Sequence, residues 1–265
     1  MILFLWLFAC TQSETSPSTS KKEVSRAPTP NQPMAARSMS MAMWKTTSIQ
    51  TYQKKIDEMH KYHQKKLATK DERSLLLVLG SSSSGGGTRG NNMKFWPEIL
   101  RERLKKHTRV HSLAQGGATT WHMKHLVQKI GIKADICILY MGFNDHQEKS
   151  PRQSIAELER GAEPQASGFV PWVYPEEQKE NIQDMVPYCT KFLLVHEYSL
   201  QKERIPKGYQ SVFSSVAGAK SYDPADIFRA QPTDSVMMDT IHPTPYGHTL
   251  LEEGIYEQIK EWLPN

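Results

Sequence analysis

From Leu75 onward, short continuous apolar runs alternate with amphipathic stretches. Leu75–Leu79 is wholly apolar and stops at Gly80. Asp135–Met141 (DICILYM) and Lys191–Val195 (KFLLV) are mostly apolar in the same way, and Arg109–Leu113 (RVHSL) and the short segment near Ala219–Tyr222 read as further, more polar strands. Runs of this length, bounded by polar residues, read as strands buried on both faces. Helical spacing fills the gaps: Phe95–Lys106 with Pro97 in its first turn, Trp121–Ile130, residues 177–188, and Pro245 to Trp262 with Leu251, Ile255 and Trp262 on its apolar side. Ahead of the first strand, Ile49, Tyr52, Ile56 and Met59 recur at helical intervals over 45–68. Two heptads are too few for a coiled coil, so a leading helix packed on the body is expected. Strand–helix alternation predicts an α/β fold with a central parallel sheet of about five strands covered on both faces. Ligands of such sheets bind beyond the carboxyl ends of the strands. The polar, glycine-rich segments 81–90, 115–120 and 142–145 fall there.

The N-terminal pattern is different. Met1–Ala9 is continuously apolar and Cys10 follows. Nine residues suit the core of an export signal better than a membrane span. Leu7-Phe8-Ala9-Cys10 resembles a bacterial lipobox, which implies cleavage before Cys10 and its lipidation. Thr11 after it points to the outer membrane; the alternative is a plain secretory leader, so export to the cell envelope is expected, as an outer-membrane lipoprotein or in the periplasm. Residues 11–44 are rich in Ser, Thr and Pro and read as a disordered tether reaching roughly 30 Å on average. The organisation expected is therefore a leader over 1–10, a tether over 11–44, a leading helix over 45–73 and a folded body over 74–265.

At 265 residues, 38% of them hydrophobic, the chain has material for one core. The net charge of +5 is unevenly spread: residues 11–73 carry 12 Lys/Arg against 6 Asp/Glu, and residues 74–265 carry 21 against 22. A nucleic-acid partner is not expected, because the basic excess lies off the predicted fold. The excess favours an anionic membrane surface only weakly. Three cysteines cannot make a disulfide framework and show no zinc-type spacing.

Candidate chemistry begins at Gly80-Ser81-Ser82-Ser83-Ser84-Gly85. A phosphate-binding loop needs a lysine after its last glycine, and Gly86 stands there. A Gly-x-Ser-x-Gly elbow fails because Ser84 occupies the final glycine position. What remains is a serine at the mouth of a sheet, in need of a base. Asp239-Thr240-Ile241-His242-Pro243 offers one, since a carboxylate three residues before a histidine can fix its tautomer. The pairs His60/His63 and His122/His125 read as solvated helix histidines. Asn144 offers a side-chain amide, and Gly117 a backbone N–H unobstructed by a side chain, as oxyanion donors.

Taken together, LLLVLGSSSSGGG, LAQGGATTWHM, LYMGFND and DTIHPTPYGH resemble the four sequence blocks of the SGNH (GDSL-type) hydrolases, in order and across residues 74–262. The resemblance implies a flavodoxin-like three-layer α/β/α sandwich and esterase activity with no metal or organic cofactor. It implies Ser82 as nucleophile, His242 as base and Asp239 as its orienting carboxylate. Gly117 and Asn144 take the oxyanion positions, together with the Ser82 N–H. Choosing Ser82 over Ser83 rests on the resemblance. The sequence departs from it at Ser81, where an aspartate is usual, and in the second block, which has Ala114 where a glycine is common and lacks the usual preceding asparagine. A base that must be neutral implies activity falling toward acid pH. Three readings stay open: an esterase for small-molecule, polysaccharide or lipid esters, an acyltransferase with the same triad, and a non-catalytic envelope binding protein. Residues 147–175 form a long connection whose Phe169, Trp172 and Tyr174 are expected either to line a substrate site or to cover the sheet edge. The sequence carries no sign of an oligomeric state.

Overall fold

The computed structural model describes residues 49–85, 93–151, 153–165, 167–200 and 205–264. The leader, the tether and Cys10 lie outside the described residues. Seven strands are labelled in chain order: β1 Ser74–Gly80, β2 Thr108–Ser112, β3 Ala134–Tyr140, β4 Glu148–Pro151, β5 Phe169–Pro171, β6 Cys189–Val195 and β7 Lys220–Tyr222. The helices are α1 Ile49–Leu67, α2 Trp96–Leu104, α3 Thr120–Ile130, α4 Ile155–Glu159, α5 Pro175–Met185, α6 Lys207–Gln210, α7 Ala225–Arg229, α8 Thr233–Val236 and α9 Pro245–Ile259.

Five strands form one parallel sheet in the order β2-β1-β3-β6-β7. Its central strands β1, β3 and β6 are mostly apolar because alternate residues feed two cores, whereas the edge strands β2 and β7 are more polar. Leu77, Leu79, Cys137, Leu139, Phe192 and Leu194 point to one face, where Met123 and Leu126 of α3 and Ile182 and Met185 of α5 cover them. Leu76, Val78, Ile136, Ile138, Leu193 and Val195 point to the other, beneath Leu100 of α2 and Leu251, Ile255 and Ile259 of α9. The result is the α/β three-layer arrangement the alternation predicts.

Helix α1 packs on this body through Tyr52, Ile56, Met59, His63 and Leu67. Tyr52 meets Trp121 and Trp172 edge to face, in a cluster with Ile155 and Val173. Arg109 on edge strand β2 donates to the carbonyls of Leu67 and Thr69, satisfying the end of α1 with a cation where the helix dipole is negative.

Several expectations change. The 147–175 connection is not bare loop: β4 and β5 pair as an antiparallel hairpin around α4. Trp172 turns in against α1, whereas Phe169 is 45% exposed. His63 and His122 are buried rather than solvated. His63 Nδ1 lies 3.0 Å from His111 Nε2, and His122 Nδ1 lies 2.8 Å from Thr119 Oγ1, at the start of α3. A cysteine count cannot say which positions meet, and here Cys137 of β3 is disulfide-bonded to Cys189 at the start of β6. Among the described residues no helix is long and apolar enough to cross a membrane.

Candidate active site

Strand order fixes where a ligand can enter. The chain leaves β1 for β2 on one side and then returns to β3 on the other, so the crevice beyond the carboxyl ends of β1 and β3 is a topological switch point. The serine run enters this crevice directly. Gly80 ends β1, and Ser82–Ser84 form a single 3₁₀ turn closed by Gly85 at φ 101°, a left-handed conformation that suits glycine. A side chain at Gly80 would collide with Ser84 Oγ at 2.4 Å, so the turn is drawn tight against the strand end.

His242 arrives from the far end of the chain. Met237 and Pro243 form an antiparallel bridge, Met238 N donates to the His242 carbonyl, and Thr244 N donates to that of Val236. The histidine thus sits on a narrow loop pinned at its base. Thr244 caps α9 by accepting from Gly247 N, and Pro245 opens the helix. A Cβ on Gly247 would lie 2.1 Å from the Val236 carbonyl, so only glycine permits this approach of α9 to the loop. Inside the loop, Asp239 Oδ1 accepts from the backbone N–H groups of Ile241 and His242.

These two segments meet. Ser82 Oγ lies 2.9 Å from His242 Nε2, and His242 Nδ1 lies 2.9 Å from both carboxylate oxygens of Asp239. With Nδ1–H donated to Asp239, Nε2 is left as an acceptor for the Ser82 hydroxyl. Ser83 does not share this geometry, because its hydroxyl turns to Glu197 and the Ile241 carbonyl.

The two remaining loops flank the serine. Gln115 N donates to the Gly80 carbonyl, drawing the loop after β2 against the serine turn. Gly117 has φ 72° and open space where a side chain would be. The Asn144 amide donates to the Ala118 carbonyl at 2.9 Å, which ties the two candidate donor loops together and leaves a second amide hydrogen. Asp145 next to it is fully buried and accepts from the N–H and hydroxyl of Thr120 at the start of α3. Burial pushes its carboxyl up to about 7 against the pull of those two bonds.

The sequence did not single out Glu197. It follows β6 and accepts from the Ser81 hydroxyl at 3.1 Å and the Ser83 hydroxyl at 2.8 Å through Oε1, and from Phe143 N at 2.9 Å through Oε2. Burial raises its pKa, opposed by these same bonds. The only sequence signal was the missing acid at position 81. Glu197 also lines a cavity of about 290 Å³ with Phe143, Tyr198, Tyr209 and Phe213. A wider groove of about 1010 Å³ runs from Ser84 and Gln115 toward Lys55 and Arg101. Among the described residues no cluster of three or more His, Cys, Asp or Glu is arranged to hold a metal ion.

No family model matches the chain, and no curated protein matches it. Solved structures do. The chain is similar to a variant of Axe2, an acetyl-xylooligosaccharide esterase from Geobacillus, at 15% identity over 72% of this chain and 97% of that one, with a TM-score of 0.51. A catalytic variant of the same acetylxylan esterase, from Geobacillus stearothermophilus, gives 16%, 72%, 97% and 0.52. LAE5, an α/β hydrolase enzyme from the metagenome of Lake Arreo, Spain, gives 17%, 69%, 94% and 0.51. At these identities the likeness is one of fold.

Proposed function

We propose that this protein hydrolyses carboxylic esters by covalent catalysis at Ser82. The observation that carries the reading is the unbroken relay from Ser82 Oγ to His242 Nε2 and from His242 Nδ1 to Asp239. Ser82 attacks the ester carbonyl while His242 takes its proton, and Asp239 stabilises the imidazolium. The N–H groups of Ser82 and Gly117 and the Asn144 amide receive the charge that develops on the carbonyl oxygen. His242 then protonates the leaving alcohol, and water repeats the sequence to release the acid. Nothing in this route requires a metal or an organic cofactor.

The structural neighbours named as acetylxylan and acetyl-xylooligosaccharide esterases make acetylated carbohydrate the first substrate class to examine. A groove of about 1010 Å³ opens beside Ser84 and Gln115, next to the serine turn. Export to the cell envelope belongs to the same reading: the Cys137–Cys189 bond suits an oxidising compartment, and the lipobox-like Cys10 supplies an anchor.

A fluorophosphonate probe and an aryl acetate assay test the proposal together. Labelling at Ser82 with release of acetate is expected, and Ser82→Ala is expected to lose labelling and lower the rate on the order of 10⁴–10⁶-fold. Full activity in Ser82→Ala rejects the assignment. Transfer of acetate to an added alcohol in preference to water shifts it to an acyltransferase. No labelling and no turnover leaves a binding protein on this fold.

A further inference from the structure

We infer that Glu197 is a positioning residue for this site, a single carboxylate that clamps the nucleophile turn and the Asn144 turn against each other. The inference rests on the ester-hydrolase reading above. In the sheet, β6 borders β3 and not β1, yet Glu197 reaches past the end of β3 to the turn that follows β1. Its two oxygens divide the work. Oε1 receives the hydroxyls on either side of the nucleophile, Ser81 and Ser83, and Oε2 receives Phe143 N, one residue before Asn144.

This arrangement defines orientation as well as proximity. A carboxylate accepts only, so both serine hydroxyls must donate to it, and neither competes with Ser82 for His242 Nε2. Ser82 is not among its partners, so Glu197 acts through its neighbours and takes no proton from the substrate. The three bonds are charge-assisted, and they offset the cost of partly desolvating the acid. Removing the charge leaves one accepting oxygen for three donors. A displacement of about 1 Å at the nucleophile is enough to cost on the order of 10²-fold in rate.

The site also states what it excludes. An aspartate at position 81 would place a second carboxylate where the Ser81 hydroxyl now sits, 3.1 Å from Glu197 Oε1. Two acids at that separation cannot both stay ionised without disturbing the turn. The acid reaches this turn from β6 instead of from the turn itself.

The experiment measures steady-state aryl acetate hydrolysis and fluorophosphonate labelling on the full chain. Glu197→Gln is expected to lower kcat about 10- to 100-fold with KM within about twofold, and to slow labelling in parallel. Ser81→Asp is expected to lower kcat at least about tenfold, and the pair Ser81→Asp with Glu197→Gln to exceed both single variants, because it restores one carboxylate at the turn. Wild-type kcat in Glu197→Gln, or a pair no better than the worse single variant, overturns the inference. Should Glu197→Gln fail to fold by its melting curve, Ser81→Ala with Ser83→Ala removes only the two hydroxyl donors. A kcat fall of about tenfold is then expected, and an unchanged kcat overturns the inference. Wild-type protein that neither turns over the ester nor labels at Ser82 rejects the hydrolase reading itself, a result distinct from an active wild type with an unaffected Glu197→Gln.

Discussion

Asp239 holds three hydrogens at once: the N–H groups of Ile241 and His242, and the ring Nδ1–H of His242. The same carboxylate therefore shapes the loop and selects the tautomer that leaves Nε2 facing Ser82. An asparagine would present an amide to the ring and favour the wrong tautomer. Asp239→Asn is expected to lower kcat by about 10⁴-fold with little change in KM, measured by steady-state hydrolysis. Asp145 sets a second residue-scale expectation, this one for stability. Its folded pKa of about 7 lies above the ordinary 3.8, so the native state holds a proton that the unfolded chain has released between those values. By linkage, the stability it contributes is present below about pH 4 and is lost as pH rises through 7. Asp145→Asn keeps an acceptor for Thr120 and removes the titration. The wild type is thus expected to lose melting temperature relative to this variant between pH 5 and pH 8, and parallel curves would reject the shift.

At the level of elements, the site depends on contacts between a helix and the loop it follows. Helix α9 begins three residues after His242 and lies so close to Val236 that position 247 has no room for a methyl group. Gly247→Ala forces α9 or the 237–243 bridge to move, at a cost of about 1–3 kcal/mol. A lower melting temperature together with reduced kcat is expected, because the displaced loop carries His242. A stable but fully active variant would show that the loop tolerates the shift. Helix α1 is the other case. Its apolar stripe of Tyr52, Ile56 and Met59 was readable from helical spacing, but its buried His63 was not, since the partner His111 lies on an edge strand 48 residues away. The β4–β5 hairpin escaped the sequence reading for a related reason: Phe169–Pro171 is a three-residue strand, too short for alternation to register.

For the whole molecule, the decisive quantity is sequence separation. Ser82 and His242 are 160 residues apart and meet because the sheet places both loops at one rim. The Cys137–Cys189 bond, spanning 52 residues, encloses the β4–β5 hairpin and α5 between two neighbouring strands. Replacing both cysteines by alanine is expected to cost about 2–5 kcal/mol, read as a lower denaturation midpoint that reducing agent no longer affects. An equal midpoint would mean that the bond adds nothing to the folded state.

The amino-acid sequence by itself determined the local pattern: which runs are strands, which are helices, and that the glycine-rich and Asn-Asp segments follow strand ends. It also marked the Ser81–Ser84 run and the Asp239/His242 pair as candidates, because Asp239 and His242 are three residues apart and the serine run follows a strand; within that run, the resemblance to the SGNH hydrolases singled out Ser82. Tertiary structure alone decided what depends on strand order. The approach of Ser82 to His242, the pairing of two of three cysteines, the burial of His63 and His122, and the reach of Glu197 from β6 to Ser81 and Ser83 are all of this kind. Hydrophobic periodicity is a property of neighbours in the chain, whereas these contacts join residues whose proximity exists only once the sheet has assembled.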